Sequence, residues 1–374
     1  MVRFFLIFLT VVLFLSCGGR QSASSQAEGD TVRFKYATQL SVVRYDGYTL
    51  VTLKNPWKEG MILHQYVLVP ADAAELPAGI PHGTIIRTPL THSVIFSTVH
   101  CAMMMDFGKQ DCISGVADLK YIKIPWIQQQ VKEGKISDVG DGLSPVVEKI
   151  IDQRPDALFI SPFENSGGYG KLEDIDIPIV ECAEYMESSP LGRAEWLRFY
   201  GILFGCEQKA DSLFETIDRN YNALKAKAQN HGDMIPEVIV DKMTGSVWYV
   251  PGGCSSIGQM LQDAVVNYPW ADDDHSGSIS LPFETVLEKA GEADIWLFRY
   301  SSDHAITYDE LRREYYGYKQ FKAFRDQRVY ACNVELSLFY EETPFHPDWL
   351  LNDFIRILHP DIPDLAPLRY YHPL

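Results

Sequence analysis

From Thr31 to Pro70 apolar and polar residues alternate with a period of two. Val32, Phe34 and Tyr36 fall on one face, Asp46 and Gly47 give a turn signal, and residues 48–53 resume an extended run. This predicts a small β appendage over residues 31–83, ending in a Pro/Ala-rich link around 70–83. Beyond it the style changes to short apolar runs alternating with helical stretches, the mark of βα units around parallel sheets. Strands are predicted near 94–97, 112–116, 157–160 and 177–180, with a helix over 102–107. Between 189 and 229 the β pattern stops. Ser189 and Pro190 form a helix start, and Trp196, Phe199, Tyr200 and Leu203 follow at helical spacing before Gly205 ends the run. A second helix carries Ala210, Leu213, Phe214, Ile217, Tyr221 and Leu224 on one face; its nineteen or so residues would span about 28 Å, enough to run along two lobes. The βα alternation then restarts, with apolar runs at 237–240, 247–250, 295–298 and 329–332, a helix near 257–266 and a closing helix over 348–358. The predicted fold is α/β: a first lobe over 84–188, linking helices over 189–231 and a second lobe over 232–374. Two Rossmann-like lobes are thus joined by a single long helix, with the β appendage in front.

The start of the chain follows a different logic. Arg3 precedes a twelve-residue apolar run over 4–15, too short for a mature transmembrane helix, and Leu15, Ser16, Cys17 and Gly18 follow it. This is the layout of a signal peptide over 1–16 cleaved just before a cysteine, and it resembles a lipobox, with Phe14 where an aliphatic residue is usual. The resemblance implies lipidation of Cys17, and the Gly, Ser, Gln and Ala of 17–30 read as a flexible tether. The protein is therefore predicted to be periplasmic and lipid-anchored to a membrane. The other six cysteines, at 101, 112, 182, 206, 254 and 332, have no CxxC spacing, and their pairing cannot be read from spacing.

Charge narrows the partners. With 33 basic against 50 acidic residues the formal charge is −17, and removal of residues 1–16 takes away one arginine and no acid, leaving −18. Such a surface repels phosphate backbones, so no nucleic-acid partner is expected. At 374 residues, 46% hydrophobic and 22% charged, the chain has a globular balance and more length than one core usually supports.

The two lobes share a repeat. Ser144, Glu148 and Asp156 recur as Ser280, Glu284 and Asp294, each set with a proline between Ser and Glu, a short helix, and an apolar strand after the Asp. Read as Ser caps, both Glu residues sit one place too far along for a reciprocal capping box, which leaves them free to point outward. Complementing a helix N-terminus would be worth only about 0.3–1 kcal/mol; recurrence in both lobes points to a paired surface role.

Taken in order, residues 86–116, the Val-Gly-Asp-Gly stretch at 139–142 leading to Glu148, Pro155 and Asp156, the stretch from Pro190 to Trp196, and Glu284 with 285–287 identify a resemblance over about 84–360. The chain is similar to the periplasmic binding-protein family that delivers cobalamin, haem and iron-siderophore complexes to ABC importers. The resemblance implies two lobes joined by one long helix, no enzymatic activity, and docking of Glu148 and Glu284 onto arginines of an ABC permease dimer. The β appendage lies outside the family core.

In a two-lobed α/β protein the loops after the strands face the cleft. They carry Tyr121, Trp126, Phe163, Tyr169, Trp248, Tyr249 and Tyr340 as candidate walls, with Arg299 as a candidate anion partner. Flat apolar walls suit a metal chelate or corrinoid better than a bare ion. The Pro251–Ser256 turn could offer backbone N–H groups to an anion, though a plain turn fits as well. The ten histidines form no HxH, HExxH or C₂H₂ spacing, so neither a protein-bound metal nor a resident cofactor is expected. Two alternatives stay open: an extracytoplasmic enzyme using Cys254 on the same scaffold, and a zinc or manganese binder using His92 and His100.

Overall fold

A computed structural model describes residues 29–164, 168–231 and 235–374. The signal peptide, Cys17 and nearly all of the tether lie outside the described residues. The amino-terminal unit is a five-stranded sheet in sequential order: β1 (Asp30–Val32), β2 (Leu40–Tyr45), β3 (Tyr48–Lys54), β4 (Ile62–Pro70) and β5 (Thr84–Thr88). The first four strands pair antiparallel and β5 runs parallel to β4, so the sheet extends past residue 83. Phe34 and Tyr36 continue no strand, despite their alternation. Glu195, fully buried, accepts the N–H groups of Lys35, Tyr36 and Ala37 at 2.7–2.9 Å, and buried Glu187 accepts those of Thr38 and Gln39 at 2.9 Å. Carboxylates from the linking region thus replace a strand partner for this segment.

The first lobe contains β6 (Ser93–Ile95), α1 (Thr98–Phe107), β7 (Ile113–Val116), α2 (Pro125–Lys132), β8 (Ser137–Asp138), β9 (Gly140–Asp141), β10 (Ser144–Pro145), α3 (Val147–Gln153), β11 (Ala157–Ile160) and β12 (Ile179–Glu181). Five strands form a parallel sheet in the order β12-β11-β6-β7-β8, every residue of β6, β7 and β11 being buried. Continuous burial explains why these strands appear as unbroken apolar runs. The linking helices are α4 (Pro190–Glu195), α5 (Leu197–Leu203) and α6 (Glu207–Gln229). Ser189 caps α4, its hydroxyl accepting from the Gly192 N–H at 3.2 Å, and Gly205 at φ 60° separates α5 from α6. At 23 residues, about 35 Å, α6 exceeds the length predicted for it.

The second lobe comprises β13 (Val238–Val240), β14 (Met243–Thr244), β15 (Val247–Pro251), α7 (Ser256–Asp263), β16 (Ser278–Leu281), α8 (Phe283–Ala290), β17 (Ile295–Tyr300), α9 (Tyr308–Glu314), α10 (Lys322–Arg325), β18 (Val329–Asn333), α11 (Phe339–Glu342), α12 (Pro347–Leu358) and β19 (His372–Pro373). Its main sheet, β13-β17-β18-β19, is parallel except for β19. The run at 247–250 is no parallel strand: β15 pairs antiparallel with β14 and β16 in a separate sheet. Gly245 at φ 64° makes the turn that folds β14 back on β15, which keeps this run local.

The repeat survives, with its caps corrected. Ser144 and Ser280 lie in strands, and the residues entering the helices are Val146 and Pro282, neither of which supplies a cap hydrogen bond. Glu148 and Glu284 are therefore the second helical residue in α3 and α8 alike, and both are exposed. The shared aspartates tie strands together: Asp156 Oδ2 accepts from the Thr91 and His92 N–H groups at 2.7 and 2.9 Å, and Asp294 Oδ2 from the Glu237 N–H at 3.0 Å.

Candidate ligand-binding site

The carboxyl ends of both main sheets open into cavities, and the same ends touch each other. Glu341 on α11, 3% exposed, accepts from Thr98 Oγ1 at the start of α1 and from the Lys123 N–H, both at 3.1 Å. Lys123 Nζ reaches on to Glu335, and His346 Nε2 lies 2.9 Å from Asp106 Oδ2. None of these cross-lobe contacts follows from a local sequence pattern, because the partners are more than 200 residues apart.

The first-lobe cavity, about 630 Å³, is lined by Phe96 after β6, Asp118 after β7, Phe163 and Tyr169 after β11, Lys171, and Glu148 on its rim. Phe163 is exposed, and the Tyr169 hydroxyl donates to Glu181 Oε1 at 2.9 Å. Among the described residues Asp118, Glu148 and Lys171 make no ion pair, so this wall carries a small negative excess. The second-lobe cavity, about 510 Å³, is lined by Asp241 after β13, Arg299 and Tyr300 at the end of β17, Tyr249 and Tyr340, with Lys242, His304, Glu310 and Glu314. Its charges are paired, the His304–Glu310 contact being an ion pair when the imidazole is protonated. Arg299 is bidentate to Asp241 at 3.0 and 2.6 Å, Lys242 pairs with Glu314, and His304 Nε2 lies 3.0 Å from Glu310. Burial works against the Arg299 guanidinium, but the Asp241 carboxylate overrides it and keeps the cation.

The structure thus brings Phe163 and Tyr169 together in one cavity and Tyr249, Arg299 and Tyr340 in the other. It leaves three candidates outside both. Trp248 is fully buried, packs within 6 Å of Trp296, Tyr318 and Phe321, and donates its indole N–H to the Val240 carbonyl at 3.0 Å; it is core. Trp126 on α2 is half-buried against the core. Tyr121 is 62% exposed beneath the Lys120 ammonium. The alternation of β15 hides the distinction between Trp248 and Tyr249: neighbouring aromatics on a strand point to opposite faces, and only the pairing decides which is inside. Arg299 as a free anion partner is likewise corrected, since Asp241 occupies its fork. In the 251–256 turn the Gly252 N–H goes to Gly277 O and the Ser255 N–H to Gly252 O, while Ser255 Oγ accepts the Gly258 N–H.

His100 does not reach a cavity. It is fully buried on α1 among Phe159, Tyr200 and Phe345, with Nε2 3.3 Å from Tyr200 Oη and 3.4 Å from Glu184 Oε1. Its donor atom, the Cys182 thiol and the Glu184 carboxylate lie within 4.8 Å of one another. Burial pushes the Cys182 thiol well up. Burial also raises Glu184, but the His100 charge and Arg193 outweigh it and hold the carboxyl at about 2. His92 is exposed beside Thr91, and Cys254 is exposed on its turn.

Two α/β lobes meeting at their strand ends, linked through helices and opening into paired cavities, define a two-lobed binding protein. The family model described as "Periplasmic binding protein" matches residues 112–336, more than half of the chain, and the chain belongs to that family. An uncharacterized lipoprotein of Methanocaldococcus jannaschii is 29% identical over 287 residues, covering 74% of this chain and 67% of that one. A periplasmic haem-binding protein from Pseudomonas aeruginosa superposes with a TM-score of 0.58 at 14% identity, covering 75% of this chain and 97% of its own. A protein of an ABC-type Fe3+-hydroxamate transport system from Saccharomonospora viridis gives 0.55 at 18%, covering 72% and 94%. Among the described residues no helix is long and apolar enough to cross a membrane.

Proposed function

We propose that this protein captures an iron complex, a siderophore or haem, or cobalamin, and delivers it to an inner-membrane ABC permease while tethered to a membrane through lipidated Cys17. The observation that carries the reading is the pair of aromatic-walled cavities at the carboxyl ends of two sheets that Glu341 holds edge to edge. Phe163 and Tyr169 face the ligand from one lobe, and Tyr249 and Tyr340 from the other. Matched charges in one cavity and a slight acidic excess in the other favour a neutral or cationic chelate over a polyanionic catecholate complex. Glu148 and Glu284, at the same step of matched helices and both exposed, are the docking acids for permease arginines.

Titration of the purified mature protein with cobalamin, haem and several ferric siderophores, followed by tryptophan quenching and calorimetry, tests the reading. It expects stoichiometric binding of one of them without turnover. Tight binding of free zinc or manganese with no response to any chelate or macrocycle would overturn it.

A further inference from the structure

The amino-terminal sheet reaches the first-lobe cavity through a short relay. Tyr66 on β4 is fully buried, and its hydroxyl accepts the backbone N–H of Glu181 at 2.8 Å. Glu181 ends β12 and turns its side chain toward the cavity loop, where Oε1 accepts the Tyr169 hydroxyl at 2.9 Å. Oε2 is buried with no hydrogen-bond partner and lies 3.7 Å from Nδ1 of His64, also on β4. His64 is fixed in turn, stacked on Tyr66 at 4.5 Å and bonded through Nε2 to Thr84 Oγ1 on β5 at 2.7 Å. The backbone of Tyr169 is held too, its N–H donating to Glu173 Oε1 at 2.7 Å. Gly168 precedes it at φ 95°, where a side chain would strike the same Glu173 oxygen.

A carboxylate this buried, with one oxygen unbonded, is a poor stabiliser by itself; burial pushes Glu181 up. Its position between an appendage strand and a cavity tyrosine accounts for its presence. We propose that the amino-terminal sheet is a brace for the ligand wall: Tyr66 holds the backbone N–H of Glu181, His64 packs against its unbonded oxygen, and Glu181 fixes the ring of Tyr169 in the first-lobe cavity. Glu181, Tyr66 and His64 are positioning residues that act through Tyr169. Tyr169's role as a ligand wall rests on the function proposed above; its fixation by the sheet does not.

Amide hydrogen exchange in the unliganded protein tests the brace without any ligand. Glu181→Leu removes the acceptor, Glu181→Gln keeps one, and Tyr66→Phe acts from the appendage alone. Exchange over residues 168–172 should rise about tenfold in Glu181→Leu and Tyr66→Phe and stay within about twofold in Glu181→Gln, with residues 113–116 on β7 unchanged as the internal control. Unchanged exchange at 168–172 in Glu181→Leu, an equal rise at 113–116, or an effect of Glu181→Leu that Tyr66→Phe does not share would each overturn the brace. Should Glu181→Leu fail to fold, Tyr66→Phe carries the test alone. In a second arm, affinity for haem and for a ferric trihydroxamate should fall about tenfold in the variants that loosen the loop and be restored in Glu181→Gln. If the wild-type protein binds none of cobalamin, haem and the ferric siderophores, the ligand reading fails while the exchange arm still decides the brace.

Discussion

In the first lobe α3 leads into β11, which lies parallel beside β6, the lobe's first strand; in the second, α8 leads into β17, parallel beside β13. An aspartate before each incoming strand accepts a backbone N–H at the head of the first one. Yet where the first lobe sets β7 on the other side of β6, the second diverts the corresponding stretch of chain into the small antiparallel sheet of β14, β15 and β16. The cavity walls diverge with it. One side offers apolar rings and unmatched charges, the other a lattice of paired ions. A duplicated frame has kept its strand ties and its exposed helix-start glutamates while its walls took on different chemistry.

The sharpest way to break the comparison lies where the first lobe meets the linking helices, in the buried group of Glu184, His100 and Tyr200. Tyr200 donates to Glu184 at 2.8 Å, and Glu184, His100 and Tyr200 are all buried. Glu184→Leu removes the buried partner of His100 and the acceptor of the Tyr200 hydroxyl and should cost about 3–5 kcal/mol by denaturant unfolding. Asp241→Ala beside the partly buried Arg299 should cost about half of that or less. The acid limb supplies the sign. The Glu184 carboxyl is depressed from 4.5 to about 2, so its contribution is complete above pH 4.5 and disappears as pH falls through 2. Over that window wild type should lose stability more steeply than Glu184→Gln, and parallel curves would refute the assignment.

Next in size come the strand ties. Asp156→Ala and Asp294→Ala should each cost about 1–3 kcal/mol, since each strands backbone donors at a sheet edge. Asp156 receives two N–H groups and the Thr91 hydroxyl, Asp294 one N–H and the Lys322 ammonium, so the first-lobe change should be the larger. An effect in one lobe alone would deny that the repeat is structural.

These ties also show what the sequence discloses. The order of strands and helices, the linking helices and the internal repeat were legible because burial on both faces writes unbroken apolar runs, and helical burial writes a 3.6-residue stripe. What escaped depends on distant partners. Phe34 and Tyr36 alternate like a strand, but Glu187 and Glu195, some 150 residues on, take their backbone. Trp248 and Tyr249 are adjacent in sequence, and only the pairing of β15 with β16 buries one and exposes the other. Arg299 read as a free cation because Asp241 lies 58 residues away. Phe163 and Tyr169 line a cavity as loops after a parallel strand do, gathered at one sheet edge whatever their sequence, whereas Tyr249 reaches the other cavity from antiparallel β15 and Tyr340 from α11.

The matched glutamates test the comparison from outside the lobes. Glu148→Lys with Glu284→Lys should lower uptake at least about tenfold in cells that depend on this importer, while ligand affinity of the purified protein stays within about twofold. Glu148 complicates the symmetry, because it stands on the rim of the first-lobe cavity whereas Glu284 lines neither cavity described. If the single Glu148 variant loses affinity and the Glu284 variant loses only uptake, the two residues have divided a role they once shared.

The smallest effect tests the walls themselves. Phe163→Leu trims an exposed ring in the cavity with the acidic excess, and Tyr340→Phe removes one hydroxyl from the cavity whose ions are paired; each should weaken binding of a neutral or cationic chelate by only about two- to fivefold. The informative quantity is the salt dependence of each variant. Unmatched charges act through the solvent and are screened as ionic strength rises, whereas the Asp241–Arg299 fork is held by direct hydrogen bonds and responds little. Binding of a cationic ferric trihydroxamate should therefore weaken with salt in wild type and in both variants, and substitution of Asp118 by Asn should flatten that dependence. Asp241 substituted by Asn should have the opposite character, freeing Arg299 to repel the same cation and to admit an anionic catecholate complex. An anion that binds wild type as well as the cation does would show that the paired lattice opens for its ligand, and that the second lobe, not the first, sets the charge of what is carried.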